Sequence, residues 1–387
     1  MTSGTEPPAC WSGVLAMALC VFTLIASEFM PVSLLTPLAA DLRVTEGMAG
    51  QGIAISGAFA VVTSLFIAQI AGRLDRKTLL LALTAVMGLS GAVVALAPNY
   101  ATYMLGRALI GVVVGGFWSL SAATAMRLVP AAQVPRALAI FNGGNALATV
   151  IAAPLGAWLG AAIGWRGAFF CLVPVALIAF AWQWASLPRM PARPGAAGGG
   201  PVFRLLRRRV VALGMLGVGV FFMGQFTLFT YVRPFLETVT RVDVATVTLV
   251  LLVIGVAGFA GTTLIGAVLR RGFYATLIAI PLLMAAIAGA LMAWGGWTAA
   301  VIALLGVWGL VSTAAPVGWW AWVPRTFPQD AEAGGGLMVA MIQLSIALGS
   351  TVGGLLFDGI GYRGTFAASA TMLVAAAALV ALTSRAE

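Results

Sequence analysis

The heptapeptide IGWRGAF at residues 163–169 returns as IGYRGTF at residues 360–366. A glycine stands at the same distance before each copy, as Gly156 and as Gly353. Further matches at similar places upstream are Pro31 with Pro234 and Trp118 with Trp319. Each match alone is weak, but together they indicate a duplicated unit. We therefore expect two related halves, in which the two prolines end the first and the seventh apolar runs.

The composition is that of a membrane protein. Of the 387 residues, 61% are hydrophobic and only 8% are charged, whereas soluble domains carry about 25% charged residues. Apolar runs of about 20 residues, the length of a membrane-spanning helix, recur from end to end. We predict an all-α polytopic fold with twelve spans in two pseudo-symmetric six-helix halves. The spans lie near residues 12–35, 49–70, 79–97, 102–125, 136–160, 168–185, 210–232, 246–268, 274–294, 298–321, 335–357 and 366–383.

A segment rich in proline, glycine and arginine divides the spans six and six. The predicted domains are an N-terminal half at 1–185, a cytoplasmic linker at 186–209 and a C-terminal half at 210–387.

Basic residues predict the orientation. Most of the 21 Lys and Arg residues fall in loops on the side of the termini. Five are assigned to the opposite side, namely Arg43, Arg166, Arg233, Arg241 and Arg363. One more, Arg107, falls inside a span. Because cytoplasmic loops carry the excess of basic residues, we expect both termini in the cytoplasm of a bacterium, with the chain in the inner membrane.

The chain offers little catalytic chemistry. It has no histidine, which removes the usual general base of Ser-His and Cys-His sites and the commonest metal ligand. Cys10, Cys20 and Cys171 show no metal or disulfide spacing. We expect no cofactor, no metal and no enzymatic activity, and a membrane-embedded lipid transferase is a minor alternative.

One carboxylate lies deep within the first apolar run. Glu28 precedes Pro31, whose missing amide leaves the carbonyl of Ser27 without a helical partner. A charge inside the bilayer costs about 2.5–3.5 kcal/mol or more and usually has a function. The alternative is a protonated carboxyl that its neighbours satisfy. With two related halves, the position favours a secondary transporter, whose site lies near the midplane.

At this point the chain resembles the major facilitator superfamily, and its drug:proton antiporter branch in particular. GRLDRK at residues 72–77 is similar to the family's loop motif between spans two and three, although it is shorter and lacks the second glycine. The resemblance implies that Asp75 and Arg76 take part in gating, as a latch within one half. Ordinary cytoplasmic positive charge is the alternative explanation.

GRALIG at residues 106–111 is similar to the family's arginine motif in span four. Counted from the predicted span ends at 1.5 Å per residue, Glu28 and Arg107 both lie roughly 8–11 Å below the outer surface. We predict that they pair and carry the proton coupling. A snorkelling arginine is the alternative.

AAPLG at residues 152–156 resembles the motif of the superfamily's antiporters, with Ala153 in place of the usual glycine. The resemblance implies a gating bend at Pro154 and Gly156. Small residues that only let helices approach would show the same pattern.

Several motifs together resemble those of bacterial purine ribonucleoside efflux pumps. They are EFMPVSLLTP at 28–37, GGFW at 115–118, MRLVP at 126–130, QF at 225–226, YVRP at 231–234 and PVGW at 316–319. The resemblance implies efflux of inosine- or guanosine-type substrates in exchange for protons.

A purine also needs flat apolar surfaces and a few amide groups. The predicted substrate-binding residues are Phe117, Trp118, Asn142, Asn145, Gln225, Phe226, Tyr231, Trp319 and Gln343. For each, helix packing or an interhelical hydrogen bond is the competing explanation.

The resulting prediction is a proton-coupled efflux antiporter that works by alternating access. Drug or sugar efflux is the main alternative, and nucleoside uptake is another, because the sequence does not set direction. The expected partners are the substrate, protons and the lipid bilayer, without nucleic acid, and the chain is expected to be a monomer.

Overall fold

The structure is a computed structural model that describes residues 9–71, 74–130, 133–191, 206–326 and 331–386. The first half contains α1 Trp11–Leu42, α2 Glu46–Ala71, α3 Arg76–Ala95, α4 Tyr100–Leu128, α5 Val134–Phe170 and α6 Leu172–Ser186. The second half contains α7 Arg209–Phe229, α8 Val232–Phe235, a π-helical turn Leu236–Thr240, α9 Val244–Arg271, α10 Phe273–Trp294, α11 Thr298–Ser312, α12 Ala315–Thr326 and α13 Ala331–Ala386.

The duplicated heptapeptides contain the sharp bends of the two longest helical stretches. Gly164 and Gly361 both have φ of 77°, with ψ of 162° and −174°. Such a conformation is essentially restricted to glycine, which has no Cβ. Of ten described apolar stretches long enough to span a membrane, Arg136–Ser186 has 51 residues and Gly334–Ala386 has 53. Each therefore bends into two spans, which accounts for the predicted twelve.

A second feature, a left-handed turn, follows the first span of each half. Arg43 and Arg241 end their helical segments in the left-handed conformation, with φ of 55° and 58°. In the first half, the hydroxyl of Thr45 accepts from the amide of Met48 at 3.1 Å and so caps α2. The two halves thus share a turn that their sequences only partly reveal.

In the second half, Asp243 caps α9 by accepting from the amide of Thr246 at 2.9 Å. Hydrogen bonds from the side chain and then the amide of Thr246 hold the pKa of Asp243 below its ordinary value, because they stabilise the ionised carboxylate.

The prediction that Pro31 ends the first span is wrong. Helix α1 continues through Pro31 and Pro37 to Leu42, because arginine side chains satisfy the carbonyls that the two prolines leave free, as described below. Pro234 also does not end α7, which stops at Phe229, but lies within the short helix α8.

Each half has its own hydrophobic core. The core of the first half includes Met17, Val113 and Phe117, and that of the second includes Trp308 and Trp322. The main contacts between the halves are those of α2 with α13, α5 with α9 and α1 with α8. We call the end of the bundle at which α1 ends and α2 begins the outer end, because the charge distribution predicts that it faces away from the cytoplasm.

Candidate functional site

Arg107 of α4 is fully buried within the first half. Its Nη1 donates to the carbonyl of Ser27 at 2.7 Å, its Nη2 to the carbonyl of Glu28 at 3.2 Å, and its Nε to the carbonyl of Gly52 at 3.1 Å. The Ser27 carbonyl is the one that Pro31 deprives of a helical amide. The guanidinium therefore replaces the missing donor and allows α1 to pass the proline.

Glu28 is 6% exposed and points to the other half of the protein. Its Oε1 accepts from Nε2 of Gln343 in α13 at 3.3 Å. Although both side chains are among the described residues, the carboxylate of Glu28 and the guanidinium of Arg107 form no ion pair within 4 Å. The predicted neighbours do meet, but the arginine binds the backbone beside Glu28, and the carboxylate joins α1 to α13.

An aromatic pair lies beside this contact. Phe29 of α1 stacks on Phe226 of α7, with ring centroids 6.0 Å apart and planes inclined by 27°. Phe226 is buried, whereas Phe29 is partly buried. The pair brings together one flat apolar surface from each half, directly next to Glu28 in the chain.

Two amide oxygens near these residues lack partners. The Oε1 atoms of Gln225, which precedes Phe226, and of Gln343 are buried and have no hydrogen-bond partner among the described residues. A buried acceptor without a donor costs about 1–3 kcal/mol. Both atoms can therefore receive N–H or O–H groups from a bound molecule.

Three other predicted aromatic side chains lie within the cores of the halves. Phe117 is fully buried in the first core and meets the half-buried Trp118 edge-on at 6.4 Å. Trp319 is buried in the second core, with its ring edge-on to Trp322 at 6.0 Å. Tyr231 is fully buried, stacks on Phe357 at 5.3 Å and donates its hydroxyl hydrogen to the carbonyl of Ser350 at 2.8 Å. No described contact joins Phe117, Tyr231 or Trp319 to the Glu28–Gln343 contact.

The two predicted asparagines lie on α5. Asn142 is exposed and donates from Nδ2 to the carbonyl of Leu138 at 3.0 Å, within its own helix. Asn145 is partly buried, and its carbonyl accepts from the hydroxyl of Thr149 at 2.9 Å. No described contact joins either amide to Glu28.

The predicted gating residues of the loop motif bind the segment that follows α6. Asp75 caps α3 through the amide of Thr78 at 3.1 Å, and its other oxygen accepts from the amide of Met190 at 2.7 Å. The amide of Arg76 donates to the Met190 carbonyl at 2.9 Å, while its buried Nη1 has no partner among the described residues. These contacts join the start of α3 to the predicted linker at 186–209, and Gly72 and Arg73 of the motif lie outside the described residues.

The predicted bend in α5 lies where two helices approach closely. A Cβ on Gly156 would stand 2.5 Å from the Ser33 hydroxyl oxygen of α1, so glycine permits the contact. Pro154 leaves the Val150 carbonyl without a helical amide. Val150 in turn lies against Gly255 of α9, where an added Cβ would stand 2.8 Å from the Val150 oxygen.

Sequence reasoning missed several residues that join the halves, three of which lie close to the predicted site or to the outer end. One is Phe29, which stacks on Phe226. Another is Asp358, which accepts from the Thr45 hydroxyl at 2.6 Å and from the Gly47 amide at 3.0 Å. The third is Arg233, which donates to the Ser33 carbonyl. Arg233 was assigned to an outer loop, yet it is only 5% exposed. The proline and the apolar residues that flank it were the available signal.

Comparison with known proteins agrees with this architecture. A sequence model described as Major Facilitator Superfamily matches residues 17–335. A relative named "Transcription regulatory protein OpdE", from Pseudomonas aeruginosa PAO1, is 71% identical over 98% of this chain and 95% of its own length. A relative named "Purine ribonucleoside efflux pump NepI", from Salmonella enteritidis PT4, is 41% identical over 96% of this chain and 93% of its own length.

Solved structures show the same fold at low identity. A bacterial homologue of the human lysosomal transporter Spinster, in an inward-facing and occupied conformation, has a TM-score of 0.77 and 16% identity, with 99% of this chain and 98% of that chain covered. The human organic anion transporter MFSD10 has a TM-score of 0.68 and 18% identity, with 97% and 100% covered. Because the family model spans most of the sequence, this chain belongs to the Major Facilitator Superfamily.

Proposed function

We propose that this transporter exports purine ribonucleosides across the bacterial inner membrane in exchange for protons. The observation that carries the proposal is the buried contact between Glu28 of the first half and Gln343 of the second, at 3.3 Å. A titratable group that bridges the two moving parts can link its protonation to their movement. The identity to relatives named for purine ribonucleoside efflux supports the choice of substrate.

The chemistry of the Glu28–Gln343 contact differs between the two protonation states. An ionised carboxylate only accepts hydrogen bonds, whereas a protonated carboxyl also donates one. Gln343 offers both kinds of partner: its Nε2 now donates to Glu28, and its buried Oε1 has no partner among the described residues. Rotation of the amide lets Gln343 accept from protonated Glu28, so the bridge between the halves is rebuilt when a proton binds.

The Phe29–Phe226 pair provides the surface for a purine ring. A base held between two rings needs about 7 Å, twice the contact distance of about 3.5 Å between carbon atoms. The centroids are now 6.0 Å apart. Because one ring belongs to each half, insertion of a base between the rings moves the halves apart at this point.

Competition for Glu28 completes the cycle. A nucleoside from the cytoplasm donates N–H or O–H groups to Glu28 and to the free amide oxygens, and displaces the proton. After the halves reorient, an external proton returns to Glu28 and releases the substrate outward. The proton gradient then drives export, because proton and nucleoside do not occupy the site together.

The decisive experiment uses purified transporter in proteoliposomes. We expect inosine transport driven by a pH gradient, and we expect Glu28→Gln to abolish that transport while it retains inosine counterflow. Glu46→Gln at the start of α2 is the matched control and should behave like the wild type. Gradient-driven transport by Glu28→Gln would overturn the coupling role.

The same vesicles decide the substrate class. We expect guanosine to compete with inosine, and sugars and lipophilic cations to compete weakly. Wild-type vesicles that exchange a drug or a sugar but no purine nucleoside would establish the alternative exporter. Phe226→Leu should raise the KM for inosine at least several-fold, since base stacking contributes about 1–3 kcal/mol.

The name of the Pseudomonas relative concerns transcription. We propose that an effect of this chain on transcription would be indirect, through export of a small molecule that a soluble regulator senses. Glu28→Gln should then change a responsive reporter as much as deletion does. A reporter that responds to deletion but not to this variant would favour a role separate from transport.

The remaining features of the proposal concern topology and assembly. We propose that both termini lie in the cytoplasm, that residues 186–209 link the two halves, and that the monomer is the working unit. Reporter fusions at the C-terminus test the orientation, and an active cytoplasmic reporter is the expected result.

A further inference from the structure

Arg233 is a second buried arginine that bonds to α1. It lies in α8 of the second half and is 5% exposed. Its Nη1 donates to the carbonyl of Ser33, and its Nε donates to Oε1 of Glu237 at 2.8 Å. The first bond joins the two halves near the outer end, whereas the second stays within the second half.

The Ser33 carbonyl is available because of a proline. In a helix it would accept from the amide of residue 37, but that residue is Pro37 and has no N–H. Ser33 is fully buried, so water does not replace the missing donor. The first half thus presents a buried acceptor that requires a partner, and the second half supplies it.

The two arginines treat the prolines of α1 in the same way but with different consequences. Arg107 satisfies the carbonyl freed by Pro31 from within the same half. That bond persists when the halves move as rigid bodies. The bond from Arg233 to Ser33 crosses between the halves and must break when they separate at the outer end.

Glu237 offers the guanidinium another arrangement. It lies in the π-helical turn Leu236–Thr240, a geometry that is frequent at functional sites. Its Oε1 accepts from Arg233, and its Oε2 is buried without a partner among the described residues. Once Ser33 withdraws, the free N–H groups of Arg233 can turn to Oε2, which gives the bidentate pair that arginine and carboxylate favour.

We propose that Arg233 is the latch of the outer end, bound to the Ser33 carbonyl when that end is closed and to both oxygens of Glu237 when it is open. The inference rests on the proposed alternating-access function. The hydrogen bonds of Asp358 to Thr45 and Gly47 close the same end, but that acceptor has no alternative charged partner within its own half in the described contacts. Of these two contacts, only that of Arg233 therefore has a described charged partner for the open state.

The test measures opening of the outer end directly. Spin labels are placed at the exposed positions Ala40 and Thr238, one on each half, after Cys10, Cys20 and Cys171 are replaced. Distances between the labels are measured by pulsed electron paramagnetic resonance in nanodiscs. We expect Arg233→Gln to move the population toward the longer distance by about tenfold or more, as the loss of a charged hydrogen bond implies.

Two further variants separate a latch from a purely structural arginine. Glu237→Gln should move the population toward the shorter distance, because it removes the charge that stabilises the open arrangement. Pro37→Ala should open the protein slightly, since the new amide competes for Ser33, but should cause no further opening in the Arg233→Gln background. Arg241→Asn, which removes a nearby charge and tolerates the left-handed backbone, should leave the distances unchanged.

Two results would contradict the role of Arg233 as a latch. Arg233→Gln with the wild-type distances would overturn it, and so would a shift of Glu237→Gln in the same direction as Arg233→Gln. If Arg233→Gln does not fold, Arg233→Lys, which keeps the charge but not the paired donors, serves in its place with a smaller shift. These distances require no substrate, so the latch can fail while inosine exchange stands, and inosine exchange can fail while the latch stands.

Discussion

Replacement of Arg107 by methionine should destabilise the protein in a way that a second replacement, Pro31→Ala, repairs. Arg107 donates to three buried carbonyls, those of Ser27, Glu28 and Gly52. The carbonyls of Glu28 and Gly52 face the amides of residues 32 and 56, neither of which is proline. Only the Ser27 carbonyl loses its one donor.

The magnitude follows from this count. One buried acceptor left unsatisfied costs about 1–3 kcal/mol, and relief from burying a guanidinium offsets part of it. We therefore expect Arg107→Met to lower the free energy of unfolding by about 1–3 kcal/mol. Pro31→Ala restores an amide that can reach Ser27, so the double variant should regain most of the loss. The coupling energy of the two changes should then be about 1–3 kcal/mol.

The assay is denaturant unfolding in detergent micelles, followed by tryptophan fluorescence, for the wild type, the two single variants and the double variant. Arg363→Met, which removes an exposed arginine of the same chain, is the control and should change little. If the double variant is destabilised by the sum of the two single effects, the reasoning is refuted, because Arg107 would then not act through the carbonyl that Pro31 frees.

Three other features give sharp expectations. Gly361→Ala should lower the stability of the fold by about 1–3 kcal/mol, since the backbone conformation at this position is essentially restricted to glycine. Gly359→Ala, in open space on the same helix, should instead raise the stability by up to about 1 kcal/mol. Thermal unfolding compares the two variants. Arg166→Met should lower the free energy of unfolding by less than about 1 kcal/mol, because its ion pair with an aspartate of α1 is partly exposed. Arg363→Met, its counterpart in the repeat, should lower it less in the same denaturant series. Asp243→Ala should lower the unfolding temperature at pH 7. Because the folded state holds the pKa of Asp243 below its ordinary 3.8, the stabilisation by this carboxylate is present above that pH, and the difference in unfolding temperature between wild type and variant should narrow as the pH falls below it. A difference in unfolding temperature that stays constant down to pH 3 would contradict the cap.

Features that depend on residues close together in the chain could be predicted well. Spans follow from apolar length, and the two halves follow from the repeated heptapeptide, whose glycines have the positive φ of a sharp turn. Glu28 was found because a charge in an apolar run is rare. In each case, the signal lies within a few positions of the chain.

The partners of those residues were harder to predict. The predicted pairing of Glu28 with Arg107 rested on equal depth, but depth does not determine which atoms meet. The freed Ser27 carbonyl attracts the guanidinium, and the carboxylate binds Gln343, more than 300 positions away. Similarly, aromatic character marks both Phe117 and Phe226, yet only packing places the first in a core and the second against Phe29.

By itself, the sequence determined a duplicated bundle of membrane helices with one energetically costly carboxyl group in its first span. Hydrophobic length and charge are local properties of the chain, and they decide directly whether a segment is stable in the bilayer. Only the tertiary structure decided how the prolines of α1 are tolerated, because the donors that replace their missing amides come from distant helices. Pro31 and Pro37 are equivalent in the sequence, but one carbonyl is satisfied within a half and the other across the two halves. In the proposed cycle, that difference separates a fixed support from a contact that breaks when the outer end opens.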